Sequence, residues 1–176
     1  MKKTEVRISG LGGQGVVLAG QILGRAAVYD GKNAVLTQSY GAEARGSVAK
    51  SEVIISDDKI GFPIVRKCDI LIAMSQEAVA KNIRDLKEDG VLFIDSSIVK
   101  NVPETKARTF KIPVTQIAEK SFGEKLYANM LMLGALAKIT EIVSEKSMEK
   151  AIMNTVPEKA LSTNLQAYKK GRGLIE

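Results

Sequence analysis

Histidine is missing from this sequence of 176 residues, and cysteine occurs once, as Cys68. Without histidine the chain forms no Ser-His-Asp or Cys-His pair and no His-ligated metal site of its own. One thiol supports no intrachain disulfide, four-cysteine zinc site or iron–sulfur cluster. We therefore expect no metal site and assign no catalytic residue, and any redox centre is expected on another chain. Cys68 itself is predicted to be a small, buried apolar residue.

Tryptophan is also absent, and four Tyr and four Phe are the only aromatic residues. The net charge of +6 favours anionic partners, although a solvated basic surface is the more common explanation. With so little aromatic material for base stacking, nucleic-acid binding is not predicted. No apolar run approaches the ~18 residues that span a bilayer. The start, MKKTEVRISG, lacks the apolar stretch of a signal peptide, so a cytoplasmic location is expected.

Short apolar segments alternate with segments of helical periodicity along the chain. This order predicts one α/β domain over residues 1–176, a doubly wound and mostly parallel sheet flanked by helices. The segment 48–56 alternates in part, so one of its faces is expected to be solvated or to form an interface. The predicted strands are VRIS (6–9), NAVLTQ (33–38), VAKSEVIIS (48–56), DILIAM (69–74), GVLFID (90–95) and an edge strand KARTFKIP (106–113).

Helices are predicted from Gly15 to Tyr29 and over SQEAVAKNIRDL, where Ser75 is the expected N-cap. The last third of the chain is predicted to be helical. Its most apolar segment, NMLMLGALAK (129–138), fits either a helix buried in the chain's own core or a docking surface.

The segment ISGLGGQGVVLAG carries a glycine pattern between the first strand and the first helix. Gly10, Gly12 and Gly15 form G-x-G-x-x-G, the Rossmann-like turn that binds a phosphate at a helix N-terminus. The first glycine permits the turn, the second allows a phosphate to approach, and the third allows the helix to pack on the strand. Gly13 is a further permissive position, and Gln14 offers its amide to a ligand or to the loop itself.

NAD binding makes a further demand, which the sequence does not meet. A carboxylate should end the second strand and bind the ribose hydroxyls. That strand ends instead in Thr37, Gln38 and Ser39. Binding of NAD(P), binding of another phosphate ligand and a tight turn without a ligand remain three alternatives at this point.

A second loop, QSYGAEARGSVAKSEV (38–53), follows the carboxyl end of a strand, where open α/β sheets bind ligands. Gly41 and Gly46 bracket Glu43 and Arg45, and Tyr40 precedes them. The two charged residues either form a local ion pair of little energetic value or reach a site or a partner chain.

Taken together, three segments resemble the gamma subunit of the 2-oxoacid:ferredoxin oxidoreductases. They are ISGLGGQGVVLAGQILGRAA, TQSYGAEARGSVAKSEVIIS and DILIAMSQEA. The segment QSYGAEARGS is most similar to the 2-oxoglutarate or branched-chain type and less similar to the pyruvate type. Many relatives have two glycines after the arginine, where this chain has Gly46 and Ser47.

The resemblance implies a complex that oxidatively decarboxylates a 2-oxoacid, forms an acyl-CoA and reduces ferredoxin. It implies alpha, beta and ferredoxin-like partner subunits, which hold thiamine diphosphate and iron–sulfur clusters, and a gamma subunit of α/β fold associated with coenzyme A. The residues that match the family's motifs, and that are candidates for binding coenzyme A, are Gly10, Gly12, Gly13, Gln14, Gly15, Tyr40, Gly41, Glu43, Arg45 and Gly46.

Two alternatives stand beside this hypothesis. The first is a stand-alone NAD(P)-dependent oxidoreductase. The second is a pure assembly module with a vestigial glycine turn, which docks through the apolar helix at 129–138.

Overall fold

A computed structural model describes residues 2–41 and 47–176 of the chain. Within these residues, six strands form one sheet in the order β2-β3-β1-β4-β5-β6, and six α-helices connect and cover them. No helix in these ranges is long and apolar enough to cross a membrane. The elements are β1 (Lys3–Leu11), α1 (Val16–Tyr29), β2 (Asn33–Tyr40), β3 (Val48–Ser56), β4 (Cys68–Ala73), α2 (Gln76–Asn82), β5 (Leu86–Asp95), β6 (Arg108–Ile112), α3 (Val114–Phe122), α4 (Ala128–Thr140), α5 (Glu145–Met153) and α6 (Glu158–Arg172).

The sheet is mostly parallel, as the alternation of strands and helices predicts. Strand β1 pairs in parallel with β4, β4 with β5, and β5 with β6. Strand β3 is the exception, because it runs antiparallel to both of its neighbours, β1 and β2. The segment 106–113 contains the edge strand β6, and Pro113 follows it directly.

Of the two alternatives expected for one face of β3, a solvated face or an interface, the solvated face was wrong. Strand β3 is not at the edge of the sheet, and from Ser51 to Ser56 every residue is buried. The polar residue Glu52 is buried because the buried guanidinium of Arg7 on β1 lies 3.2 Å from its carboxylate. Arg7 also donates to Asp85 at 2.7 Å and to the Val65 carbonyl at 3.1 Å. This ion-pair network therefore joins β1 and β3 to the segments that cover them.

The two faces of the sheet bury cores of different size. Helices α1, α3, α4, α5 and α6 pack on one face, which we call the α1 face, against Val6, Ile8 and Ile72. On the other face, the α2 face, α2 and neighbouring loops cover Leu71 and Ala73. Helices on both faces confirm the doubly wound arrangement.

Helix α4 is part of the protein's own core. Every residue from Ala128 to Ala137 is buried, and α4 packs against α6. The two helices approach so closely that a Cβ on Gly134 would overlap the carbonyl of Tyr168. The apolar segment at 129–138 is therefore not a docking surface.

Cys68 is fully buried at the start of β4, as predicted. Burial raises the pKa of the Cys68 thiol to about 11, so the thiol is protonated at neutral pH. It behaves as a small apolar residue of the α2-face core.

Asp30 ends α1 and holds the start of α5. Its carboxylate accepts hydrogen bonds at 2.6 Å from the Ser144 amide and from the hydroxyls of Ser144 and Ser147. Ser144 is in turn the N-cap of α5 and accepts from the Ser147 amide at 3.2 Å. One carboxylate thus fixes two helix ends that are more than a hundred residues apart in sequence.

Replacing Asp30 by Asn should lower the free energy of unfolding by about 1–2 kcal/mol at neutral pH, because the hydrogen bonds lose their charged acceptor. Burial acts to raise the pKa of Asp30, but the hydrogen bonds from Ser144 and Ser147 and the charge of Lys32 together lower it. A carboxyl of lowered pKa stabilises the fold above the unfolded-state value of about 4, and this stabilisation is lost as the pH falls through the folded-state value. Urea unfolding should show that the difference between wild type and Asp30→Asn shrinks below about pH 4. A difference independent of pH would contradict this account.

Candidate functional site

The glycine turn lies where the chain changes from one face of the sheet to the other. Strand β1 leads into α1 on one face, and its neighbour β4 leads into α2 on the opposite face. The carboxyl ends of two such strands border a crevice, which is the usual ligand site of an open α/β sheet. Here the ends are joined by a hydrogen bond of 2.8 Å from the Met74 amide to the Ser9 carbonyl.

Gly13, Gly15 and Gly10 are required by the shape of the turn. Gly13 (φ 91°) and Gly15 (φ 71°) have the left-handed backbone that side chains disfavour. A Cβ on Gly10 would lie 2.9 Å from the Cβ of Met74 and 2.5 Å from Gln14 Oε1.

Gly12 differs from those three glycines. A Cβ built there would have its nearest neighbour, the Ser47 carbonyl, 4.0 Å away. Gly12 and Gly13 are also exposed. No contact within the described part of the chain thus requires glycine at position 12, whereas a ligand that approaches the backbone does.

The Gln14 side chain forms hydrogen bonds within the protein, to the turn and to the end of β4. The Leu11 amide donates to its Oε1 at 2.7 Å, and its Nε2 donates to the Met74 carbonyl at 2.9 Å. Of the two roles considered for this amide, the structure supports the internal one. Gln14 ties the glycine turn to the end of β4 across the crevice.

The backbone amides at the start of α1 form a set of free donors. The amides of Gly13, Gly15 and the first three helical residues, 16–18, have no acceptor in residues 2–41 or 47–176. The Gly12 amide donates to Ser47 at 3.1 Å and the Gln14 amide to Leu11 at 3.1 Å. The helix dipole adds partial positive charge at the same point, so the turn is suited to an anion.

Asn129 supports this helix start from α4 and was not singled out in the sequence. Its Nδ2 donates to the Gly15 carbonyl at 3.2 Å, and its Oδ1 accepts from the Met130 amide at 2.8 Å. A Cβ on Gly15 would overlap the Asn129 side chain. Gly15 is therefore needed for packing against a helix as well as for its φ angle. A lone Asn at the head of an apolar helix gave no signal of this contact.

The second loop lies beside the glycine turn. Gly41 follows β2 and donates to the Val48 carbonyl at 3.1 Å, and Ser47 accepts from the Gly12 amide. Tyr40, at the end of β2, is 63% exposed. The predicted site residues Glu43, Arg45 and Gly46 lie outside the described residues. The ends of the loop thus adjoin the turn, as the sequence suggested.

A cavity of about 290 Å³ opens beside the ends of this loop on the α2 face. Tyr40 and Gly41 line it, together with Ser9 and Ser39. Its charged lining residues are three cations and one anion: Arg7, Lys50, Lys81 and Asp85. Arg7 pairs with Asp85 and Glu52, and Lys50 pairs with Glu52 at 2.8 Å, so Lys81 supplies the positive charge that remains for an anionic ligand.

The sheet order explains why the nicotinamide hypothesis fails. In a dinucleotide-binding fold the second strand lies beside the first, and its final carboxylate reaches the ribose. Here β3 lies between β1 and β2. The end of β2 is therefore two strand spacings, roughly 10 Å, from the end of β1. It also lacks the carboxylate, since it ends in Ser39 and Tyr40.

Comparison with known proteins agrees with this geometry. Residues 5–174 match the family described as pyruvate ferredoxin/flavodoxin oxidoreductase. The chain belongs to this family. The 2-oxoglutarate synthase subunit KorC of Methanocaldococcus jannaschii is 52% identical over 172 residues, which cover 96% of this chain and 92% of that protein.

Two solved structures of the family share the fold. The gamma subunit of a keto/oxoacid ferredoxin oxidoreductase from Geobacter sulfurreducens superposes with a TM-score of 0.85 at 44% identity, covering 96% of this chain and 95% of that chain. The 2-oxoglutarate:ferredoxin oxidoreductase of Magnetococcus marinus, solved with 2-oxoglutarate, coenzyme A and succinyl-CoA, gives a TM-score of 0.88 at 25% identity. That match covers 99% of this chain and 31% of the Magnetococcus chain.

These relatives confirm the resemblance found in the sequence. The chain is a gamma subunit of the 2-oxoacid:ferredoxin oxidoreductase type, and it acts as part of a multi-subunit complex. A stand-alone NAD(P)-dependent oxidoreductase and a pure assembly module do not fit the family.

Replacing Gln14 by Ala should lower the free energy of unfolding by about 1–3 kcal/mol, because the Leu11 amide and the buried Met74 carbonyl lose their partner. Gln21, which is exposed on α1, provides the matched control. Gln21→Ala should change the stability by less than about 0.5 kcal/mol. Urea unfolding of the three proteins measures both effects. Equal stabilities of the two variants would show that Gln14 does not hold the turn.

Proposed function

We propose that this chain is the gamma subunit of a 2-oxoglutarate:ferredoxin oxidoreductase and that its glycine turn binds the phosphates of coenzyme A. The KorC subunit supports this choice of oxoacid by its identity of 52% over almost the whole chain. The Magnetococcus structure supports it as well, since that enzyme was solved with coenzyme A and succinyl-CoA.

The observation that carries the proposal is the set of amides at Gly13, Gly15 and residues 16–18, which have no acceptor within the described residues. A phosphate oxygen would accept hydrogen bonds from them at the positive end of the α1 dipole. Gly12 leaves the space through which such a group reaches the backbone. The adenosine ribose of coenzyme A carries a 3′-phosphate, which a carboxylate at the end of β2 would repel, so the missing carboxylate does not count against coenzyme A.

The second loop extends this proposed site. Tyr40 and Gly41 line the cavity on the α2 face, where Lys81 would attract the negative charge of a phosphorylated ligand. The exposed ring of Tyr40 offers a surface on which the adenine of coenzyme A can stack. Glu43, Arg45 and Gly46 remain predicted members of the site through the family's motif.

The proposal divides the reaction among several chains. Coenzyme A supplies the thiol that receives the acyl group. In this division thiamine diphosphate and the iron–sulfur clusters lie on the alpha, beta and ferredoxin-like subunits, and ferredoxin takes the electrons. The gamma subunit binds and orients the phosphate end of coenzyme A and carries no catalytic residue of its own.

In the assembled complex, Gly12→Val should raise the KM for coenzyme A at least about tenfold, which corresponds to ~1.4 kcal/mol of lost binding. A Cβ at position 12 comes no closer than 4.0 Å to a described atom of this chain, so the fold and the assembly should be retained. Steady-state acyl-CoA formation measures the KM, and gel filtration checks the assembly.

Gly173→Val is the matched control for this experiment. Gly173 has an ordinary negative φ, and a Cβ there makes ordinary contacts of 3.5 Å or more. It follows α6, next to Arg172, which pairs with Glu145 at 3.1 Å. The control should leave the KM for coenzyme A unchanged. An unchanged KM in Gly12→Val would rule out phosphate binding at the turn.

The choice of oxoacid is tested separately. The purified complex should use 2-oxoglutarate with a kcat/KM at least about tenfold above that for pyruvate or 2-oxoisovalerate. The assay follows ferredoxin reduction with each oxoacid in turn. A preference for pyruvate or the branched-chain acid would overturn the choice of oxoacid and leave the coenzyme A site untouched.

A further inference from the structure

Strand β2 forms an unprotected edge of the sheet. Its eight residues, NAVLTQSY, include no charged residue and no proline, and in the described ranges β2 pairs only with β3. Proteins usually protect a free edge with charged residues, proline or a short strand, because unpaired backbone groups there recruit another strand.

The opposite edge of the sheet is protected in this way. Strand β6 has five residues, of which Arg108 and Lys111 are charged, and Pro113 follows it. The Arg108 guanidinium lies over the ring of Phe110, 4.7 Å from its centroid. The two edges of one sheet are thus built differently, which indicates that β2 is covered in the assembled protein.

Exposed apolar side chains flank β2 on both faces of the sheet. On the α1 face, Val28 and Tyr29 are 55% and 37% exposed beside a groove of about 450 Å³ that reaches Ala34 and Leu36 on β2. Met153 is 54% exposed, and its neighbour Asn154 donates to the Tyr29 hydroxyl.

On the α2 face, Ile64 is 53% exposed and lines a second groove, of about 330 Å³, along residues 37–39 of β2. Phe62, two residues earlier, is 56% exposed. Apolar exposure on this scale marks an interaction surface. We call these two flanks and the strand between them the β2 edge surface: Val28, Tyr29, residues 33–39, Phe62, Ile64 and Met153.

We propose that the β2 edge surface binds an extended segment of a larger subunit of the complex, which adds a strand to the sheet. A strand edge is complementary to another extended backbone, and successive side chains of a strand point to opposite faces. An incoming strand with apolar residues at neighbouring positions would therefore fill both grooves at once.

A larger subunit fits this surface better than a second copy of the same chain. Each copy carries a net charge of +6, so two copies repel each other. In the Magnetococcus enzyme the matching part makes up only 31% of its chain, so the same fold there is continuous with a larger polypeptide. The proposal rests on membership of a multi-subunit complex and not on the coenzyme A site.

The first test is a double variant, Val28→Lys and Ile64→Lys, which replaces one exposed apolar residue on each face of the sheet. Both side chains are exposed, so the isolated chain should keep its melting temperature. The affinity of the gamma subunit for the other purified subunits should fall at least about tenfold, because lysine places an unpaired charge in each groove. Sedimentation of the reconstituted complex measures the affinity.

Leu126→Lys with Ile98→Lys is the matched control. These two side chains are 47% and 37% exposed and lie outside the β2 edge surface. The control should bind the other subunits with an affinity within about twofold of wild type. Equal affinities of the two double variants would overturn the proposal.

Hydrogen exchange of the β2 amides distinguishes binding of a larger subunit from binding of a second copy of this chain. In the isolated chain the amides of residues 33–39 that face away from β3 should exchange rapidly, and assembly should slow them at least about tenfold. Unchanged exchange after assembly would overturn the proposal. Protection already present in a dimer of the isolated chain would also overturn it, in favour of a second copy. The Gly12→Val variant separates the two proposals. If it loses coenzyme A binding but still assembles, the result agrees with strand binding at the β2 edge surface.

Discussion

The antiparallel strand β3 between β1 and β2 is the constraint on which the rest of this structure depends. It pairs with β1 from Lys3 to Leu11 and with β2 from Asn33 to Tyr40. By occupying the place next to β1, it moves the end of β2 away from the glycine turn. The ribose-binding half of a dinucleotide site is thereby lost, while the glycine turn itself is retained. Ser47, which directly precedes β3, accepts a hydrogen bond from the Gly12 amide of the turn.

The same arrangement keeps the turn in one shape. Gln14 fixes it to β4, Asn129 fixes the start of α1 to α4, and the Ser47 carbonyl fixes Gly12. The amides of Gly13, Gly15 and residues 16–18 are therefore held in fixed positions, so the phosphate binding proposed for them would cost little conformational entropy. In this account the turn is rigid before the ligand arrives.

Much of the fold follows from the sequence, because apolar runs of strand length and helical spacing specify elements locally. The segment 48–56 is observed with the bounds predicted for it, and Ser75 caps α2 through the Ala78 amide. The antiparallel direction of β3 was not predictable, since strand direction depends on long-range pairing. Its buried faces were missed for the same reason: Glu52 looks solvent-facing until Arg7, distant in sequence, is placed beside it.

The glycine turn of the candidate site was equally predictable from the sequence. Glycine is required where the backbone has a positive φ or approaches another group closely, so its spacing indicates such a turn. The contacts that hold the turn in place were less predictable. Gln14 was ambiguous between ligand and loop, and Asn129 gave no signal because its partner is a backbone carbonyl over a hundred residues away. The β2 edge surface also became visible only when the sheet order showed which strand lacks a second neighbour.

A structure of the assembled complex with coenzyme A bound tests the central claim most directly. The account predicts a phosphate oxygen of coenzyme A within about 3 Å of backbone amides between Gly13 and residue 18, with no residue of another subunit between them. Coenzyme A phosphates held entirely by other subunits, with the Gly12–Gly15 turn in contact only with protein, would contradict it.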